Sequence, residues 1–279
     1  MRRPSRYGDR MNTSRRIICA CTIGIGAAVL GAANSAGAGP VTLAINPTQL
    51  VLVGAADGKF TVRNPTGNPV TLQASVGNFT IRPNGHVVVN PRRAPQHSAK
   101  RWLAISPKQF TIKPHTNAGL SVHSHPAANA SPGDHYALVL FTTAPSGTGK
   151  VLVRTRLGVA VLVRVPGKIK RRLVIGGLSA SRAKHQLRLV IKNRGNINER
   201  LLKRHVTVAL KRGGRLVQKV SAPARDLLPR GRAVYRLPYR QDLTGKVTAV
   251  VTVRPLNGSQ AGAFAPPMKP RTRKFRVRL

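Results

Sequence analysis

Acidic residues are scarce in this chain of 279 amino acids, where 6 Asp and Glu stand against 48 Lys and Arg, a formal net charge of +42. The five that lie beyond residue 50 are widely spaced, and we expect most of them in turns or loops: Asp57, Asp134, Glu199, Asp226 and Asp242. A paired-carboxylate glycosidase centre or a magnesium site needs clustered acids, so neither is predicted.

Cysteine is almost as rare. The only two, Cys19 and Cys21, lie in an apolar N-terminal stretch that we expect to be removed. The mature chain would then hold neither a disulfide nor a thiol nucleophile. The sequence also has no G-x-S-x-G, P-loop or dinucleotide-binding fingerprint, and we therefore predict neither an enzyme nor a cofactor.

Aromatic residues make up only 4% of the chain, so the hydrophobic core must be built mainly from aliphatic side chains. The few aromatics are scattered and form no array on which nucleic-acid bases could stack. Nucleic acid is therefore not an expected partner, despite the positive charge.

Residues 1–38 have the three parts of a secretory signal peptide. Arg10, Arg15 and Arg16 precede the apolar segment 17–33, and small residues ending at Ala38 offer a cleavage site before Gly39. Met11 is an alternative start, the arginine pair also fits a twin-arginine signal, and an uncleaved anchor is the competing interpretation. No later segment is apolar enough to cross a membrane.

The rest of the chain has the pattern of an all-β protein. Runs rich in Val, Thr and Leu alternate apolar with polar residues and are separated by Asn, Gly and Pro. The first strand is predicted over Val41–Val53 with an interruption at Pro47, and Lys59–Val76 is predicted as a hairpin-like pair. Thirteen or more short strands with turns every 8 to 12 residues predict two tandem immunoglobulin-like antiparallel β-sandwich domains.

We place the domains at 39–166 and 167–279, separated by a basic linker that begins with Pro166-Gly167. The last segment alternates cations with apolar residues and is predicted to complete the second sheet. Candidate contacts to a polyanion lie in the linker and the last strand: Lys168, Lys170, Arg171, Arg172, Lys274, Arg276 and Arg278. The alternative is that these cations are dispersed over exposed sheet faces.

Histidine provides the one possible metal-binding pattern. His123 and His125 are two apart on a predicted strand, so their side chains share a face, and His135 follows nearby. Such imidazoles can bind zinc or copper. Because no carboxylate or cysteine completes the ligand set, we predict no metal site, with these three as the candidates.

Three stretches of the first domain resemble known families: "FTVRNPTGNPVTLQASV", "WLAISPKQFTIKPHTNAGLSVH" and "PGDHYALVLF". They resemble the N-terminal immunoglobulin-like domain of bacterial pilus chaperones and of the WxL-interacting proteins of Gram-positive surfaces. The second half resembles the second such domain of two-domain surface proteins. The resemblance implies structural roles for Trp102 and for Tyr136, which is similar to the corner tyrosine of such sandwiches.

Two departures limit what the resemblance implies. WxL-interacting proteins typically end in a transmembrane helix, whereas this chain ends in a predicted strand. Pilus chaperones hold a subunit's terminal carboxylate with an arginine on the first strand and a lysine near the interdomain cleft, and Val41–Val53 has no cation. The carboxylate-anchoring mechanism therefore cannot be carried over.

We therefore expect a secreted, envelope-associated adhesion or scaffold protein without catalytic activity. It would bind surface proteins and anionic cell-wall polymers or lipid head groups. The alternative is an extracytoplasmic assembly chaperone that adds a β-strand to subunits of a pilus or surface fibre.

Overall fold

The computed structural model describes residues 42–145 and 154–279. Within that part the regular structure is β-strand, apart from two short 3₁₀ turns at Lys100–Trp102 and Gly258–Ala261. None of its helices is long and apolar enough to span a membrane. The predicted leader, with its cleavage site, lies outside the described residues.

Eleven strands build the first sandwich. They are β1 (Ala44–Asn46), β2 (Gln49–Val53), β3 (Ala56–Arg63), β4 (Val70–Gly77), β5 (Phe79–Ile81), β6 (Val87–Val89), β7 (Leu103–Ser106), β8 (Gln109–Ile112), β9 (Asn117–Ser124), β10 (Gly133–Thr143) and β11 (Arg156–Val165). One sheet has the order β1-β3-β9-β7 and the other β2-β11-β10-β4-β8, while β5 and β6 form a separate hairpin. Only β2 and β11 pair in parallel among these strands.

The period-2 alternation of the sequence buries one face of each sheet. Phe60 and Val62 of β3 face Leu72 of β4 and Phe141 of β10 across the sandwich, all almost without solvent exposure. The Phe60 and Phe141 rings meet edge to face at 6.4 Å. Each such buried side chain contributes about 1.5–3 kcal/mol of transfer free energy.

The predicted pairing of neighbouring strands is wrong for Lys59–Val76. This segment was expected to form a hairpin-like pair, but β3 and β4 lie in opposite sheets. The interruption predicted at Pro47 divides the first segment into two strands of different sheets, because β1 pairs with β3 while β2 crosses to β11. Alternation sets which face is buried, but it does not choose the neighbouring strand.

Nine strands build the second sandwich. They are β12 (Leu173–Ser181), β13 (Gln186–Asn193), β14 (Glu199–Leu201), β15 (Val206–Arg212), β16 (Arg215–Ser221), β17 (Arg225–Leu227), β18 (Arg232–Pro238), β19 (Lys246–Val253) and β20 (Arg271–Arg278). Sheets β12-β13-β18 and β16-β15-β19-β20 enclose the core, and β14 pairs with β17. The chain is thus all-β with two immunoglobulin-like sandwiches, as predicted.

The C-terminal strand follows its sequence pattern. β20 pairs with β19 along its full length, from Arg271 opposite Val253 to Arg278 opposite Lys246. Phe275 and Val277 pack against the second core, while the intervening cations face solvent.

Candidate functional site

The outer edge of β11 is only partly covered by another strand. β2 pairs with β11 from Ala160, opposite Gln49, to Arg164, opposite Val53. On the other side, β10 pairs with β11 from Arg156 to Val165. Residues 156–159 therefore have a strand partner on one side only, within the part of the chain that the structure describes. We call this segment the open edge.

The face of β10 and β11 that points away from the first core is covered by apolar side chains. Leu138, Leu140 and Leu162 lie there with Phe79 and Leu228 in a separate hydrophobic cluster. Leu228 belongs to the second sandwich, and Phe79 opens the hairpin formed by β5 and β6. Apolar packing therefore joins the two sandwiches at this face.

The tip of that hairpin also contacts the second sandwich. We call residues 79–89 the bridging hairpin. The backbone N–H of Val234 in β18 donates to the carbonyl of Pro83 at 2.7 Å. Gly85, with φ +95°, lies so close to Arg225 that a Cβ at this position would overlap the guanidinium. The bridging hairpin therefore joins the two sandwiches through backbone and side-chain contacts.

A buried ion pair lies where β10 begins and β11 ends. The Arg164 guanidinium donates to both oxygens of Asp134, at 2.6 and 2.9 Å, and their side chains are 3% and 0% exposed. Asn198 of the second sandwich donates its backbone N–H to Asp134 at 2.6 Å. Arg164 also donates to the carbonyl of Ala263 at 2.6 Å. The pair therefore joins both sandwiches.

A second buried pair lies in the linker. The Arg171 guanidinium donates to both oxygens of Glu199 at 2.7 Å, with side-chain exposures of 3% and 2%. Arg171 also donates to the carbonyls of Leu256 and Pro266. Most of the acidic residues were expected in turns or loops, but Asp134 and Glu199 lie buried in strands, each paired with an arginine.

A cleft of about 570 Å³ opens between the sandwiches on a different set of segments. We call it the cationic cleft, because four of its ten lining residues are lysine or arginine. It is lined by Gln96, His97, Ser131, Pro132, Lys168, Lys170, Arg194, Gly195, Asn196 and Arg230. No residue of β2 or β11 takes part, so the cleft and the open edge are separate surfaces.

A small cluster of rings lies behind His97. The His97 ring is 5.4 Å from that of His135, which is 4.4 Å from Trp102 between centroids. Burial, His135 and Arg230 lower the pKa of His97 below its ordinary value. His135 is buried, and its Nε2 lies 2.9 Å from the Ser131 carbonyl.

The metal candidates are not brought together. His123 is exposed and its Nδ1 lies 2.6 Å from Asp57. β9 ends at Ser124, so His125 lies beyond the strand on which the pair was expected. Within residues 42–145 and 154–279, no three His, Cys, Asp or Glu side chains group as metal ligands.

The predicted polyanion contacts are divided between different surroundings. Lys168 and Lys170 line the cationic cleft, whereas Lys274, Arg276 and Arg278 project from β20. Arg172 is exposed. Arg171 is occupied by Glu199, because its guanidinium is buried and doubly bonded. These residues therefore do not form one continuous surface.

The two residues assigned structural roles both pack within the first sandwich. Trp102 is half-buried against the first core and beside His135. Tyr136 lies inside β10, and its ring meets Phe79 at 5.2 Å in the outer cluster. Burial raises the pKa of Tyr136.

No protein-family model matches the chain, and no curated protein matches it significantly. Among solved structures, the YadV chaperone matches at 12% identity and a TM-score of 0.50, over 85% of this chain and 99% of that one. The CupB2 chaperone of Pseudomonas aeruginosa matches at 13% identity, TM-score 0.44, over 84% and 100%. The CsuC–CsuE chaperone–tip subunit complex of Acinetobacter baumannii matches at 14%, TM-score 0.45, over 85% and 98%.

At these identities the likeness establishes the fold alone, which is the two-sandwich fold of pilus chaperones. It corrects one expectation. The chain was expected to be an adhesion or scaffold protein held to anionic polymers, and that prediction is wrong, since the structure that shares its fold over 85% of this chain and 99% of its own is the YadV chaperone. The dispersal of the seven candidate cations removes the continuous surface on which the expectation depended.

Proposed function

We propose that the protein is an extracytoplasmic assembly chaperone that binds subunits of a surface fibre by adding a β-strand. The observation that carries this proposal is the open edge of β11 in a two-sandwich fold shared with pilus chaperones. The free backbone groups of such an edge can pair with an extended strand of another protein.

The geometry of β11 supports this use. Val159, Val161 and Val163 anchor the strand in the first core, and β10 pairs with its other side. An added strand would therefore dock on an edge that is already ordered, and little further ordering entropy would oppose binding. Gly158 lies within the open edge, and a Cβ there would come within 2.8 Å of the Leu138 side chain of β10, so the two strands pack closely at this position.

The proposed binding would differ from the anchoring expected for pilus chaperones. β1 and β2 contain no cation, and the guanidinium of Arg164 near the end of β11 is occupied by Asp134. Backbone pairing along the open edge would thus supply recognition without an ion pair from the first strand. The likeness to WxL-interacting proteins stays a prediction from the sequence.

The remaining assignments complete the proposal. The leader would end at Ala38, and the domains would be 39–166 and 167–279. The protein would act without catalysis or a cofactor, and its partners would be surface proteins. Intact-mass measurement of the exported protein, which should begin at Gly39, checks the leader.

Hydrogen exchange tests the binding edge. The chain is co-expressed with candidate fibre subunits, including any that are encoded near it, and a purified complex is compared with the free chain. We expect a one-to-one complex in which the outward amides of residues 156–159 exchange more slowly, because they become hydrogen-bonded to the subunit. Amides of β7, an edge strand of the other sheet, serve as the control and should not change.

Two results would contradict the proposal. One is the absence of a complex with any neighbouring fibre subunit. The other is a complex in which the open edge keeps its free-state exchange rates.

A further inference from the structure

The cationic cleft gathers charge from segments far apart in sequence. Lys168 and Lys170 lie in the linker, Arg194 follows β13, and Arg230 lies between β17 and β18. No carboxylate lines the cleft. Its wall is therefore positive without an acidic group of its own.

The chain has no acidic residue left in the described part to neutralise this wall. Each of the five described carboxylates is already next to another basic side chain: Asp57 with His123, Asp134 with Arg164, Glu199 with Arg171, Asp226 with Arg200 and Asp242 with Arg240. Like charges held in one concavity repel one another, and an anion relieves that repulsion. The neutralising group must therefore come from another molecule.

The surroundings of His97 report the same positive field. Its pKa is lowered by burial first, and then by His135 and Arg230. An anion bound next to Arg230 would oppose the electrostatic part of that shift. His97 is thus a natural reporter of whether the cleft is filled.

The cleft is also held in a fixed shape. Asn196 accepts the backbone N–H of Lys170 through Oδ1 at 2.7 Å. Its Nδ2 donates to the carbonyls of Pro132 at 2.8 Å and Lys168 at 3.0 Å. These bonds tie the linker to both sandwiches, so the backbone that carries the two lysines is ordered before a ligand arrives.

We propose that the cationic cleft binds an acidic segment of a partner protein, in which several Asp or Glu side chains lie close together. The cations are spread over a volume in the range of a ligand pocket rather than focused on one point, and the wall combines lysine, arginine and amide groups. Several carboxylates on one extended segment match that distribution better than one compact oxyanion. The site is independent of the open edge and of the strand-addition proposal.

The test uses the full chain and a fluorescent hexaglutamate peptide, with hexaglutamine as the uncharged probe. The double variant Lys170→Gln/Arg230→Gln removes two charges from the cleft, and Lys274→Gln/Arg276→Gln removes two exposed charges from β20. We expect the cleft variant to weaken hexaglutamate binding about tenfold and the β20 variant by less than about twofold. Lys168→Gln/Arg194→Gln should reproduce the loss, and thermal melts should confirm that all three variants fold.

A second measurement follows the His97 ring by NMR during a pH titration. Saturating hexaglutamate should raise the pKa of His97 in the wild type, and should do so less in the cleft variant. Equal weakening by the cleft and β20 variants would overturn the proposal, because binding would then be a general charge effect. An unmoved His97 titration, or inorganic phosphate binding as tightly as the peptide, would overturn it as well.

Discussion

The substitution Asp134→Asn provides a direct measure of how strongly the buried pair holds the protein together. The change keeps the shape of the side chain but leaves the Arg164 guanidinium, 3% exposed, without a counter-charge. It also replaces the charged acceptor of the Asn198 N–H. Breaking a buried pair from one side costs about 3–5 kcal/mol, which is a large share of a typical total stability of about 5–15 kcal/mol.

Urea unfolding at neutral pH, followed through tryptophan fluorescence, measures this loss. The chain has one tryptophan, Trp102, and its ring lies 4.4 Å from that of His135, the residue after Asp134. The matched control is Asp242→Asn, whose pair with Arg240 spans 3.3 Å and is more than half exposed on both sides. We expect the control to change the free energy of unfolding by less than about 0.5 kcal/mol.

A third variant separates loss of charge from loss of packing. Asp134→Asn/Arg164→Met removes both charges and should recover part of the lost stability, because no guanidinium stays buried alone. The reasoning is refuted if Asp134→Asn costs no more than Asp242→Asn. It is also refuted if the double variant is no more stable than Asp134→Asn.

Two further predictions concern the junction between the sandwiches. In urea unfolding, Gly133→Ala should destabilise the protein more than Gly214→Ala by about 1–3 kcal/mol. Both glycines have a positive φ, but of the two only Gly133 has a backbone atom, the Asn196 carbonyl oxygen, within 2.2 Å of an added Cβ. Equal losses of stability in the two variants would contradict this prediction. Stability should fall as the pH drops below 6.5, because the lowered pKa of His97 makes the unfolded chain take up that proton first. His97→Gln should flatten this slope and exposed His125→Gln should not; an unchanged slope in His97→Gln argues against the assignment.

Sequence alternation was sufficient to predict which faces are buried. β20 shows this, because its cations face solvent while Phe275 and Val277 pack on the core. It could not predict which strands pair: β3 and β4, expected to form a hairpin-like pair, belong to different sheets. Sheet choice depends on contacts between distant segments, which a local pattern does not contain.

The candidate sites were harder to predict for the same reason. Asp134 and Glu199 find their arginines 30 and 28 positions away in the chain, so spacing alone made them resemble isolated loop acids. The residues that line the cationic cleft come from five separate segments, and only Lys168 and Lys170 among them were recognised in advance. The strand expected to hold His123 and His125 reaches only Ser124, so His125 lies just beyond its end.

The bridging hairpin carries a consequence for how this molecule could be divided or engineered. Its contacts to Val234 and Arg225 are encoded inside the first sandwich rather than in the linker. Exchanging linker residues would thus leave this tether in place, and a first sandwich grafted onto a foreign second one would present a hairpin with no matching surface. We therefore expect the two sandwiches to be inherited together rather than recombined separately with sandwiches of other proteins.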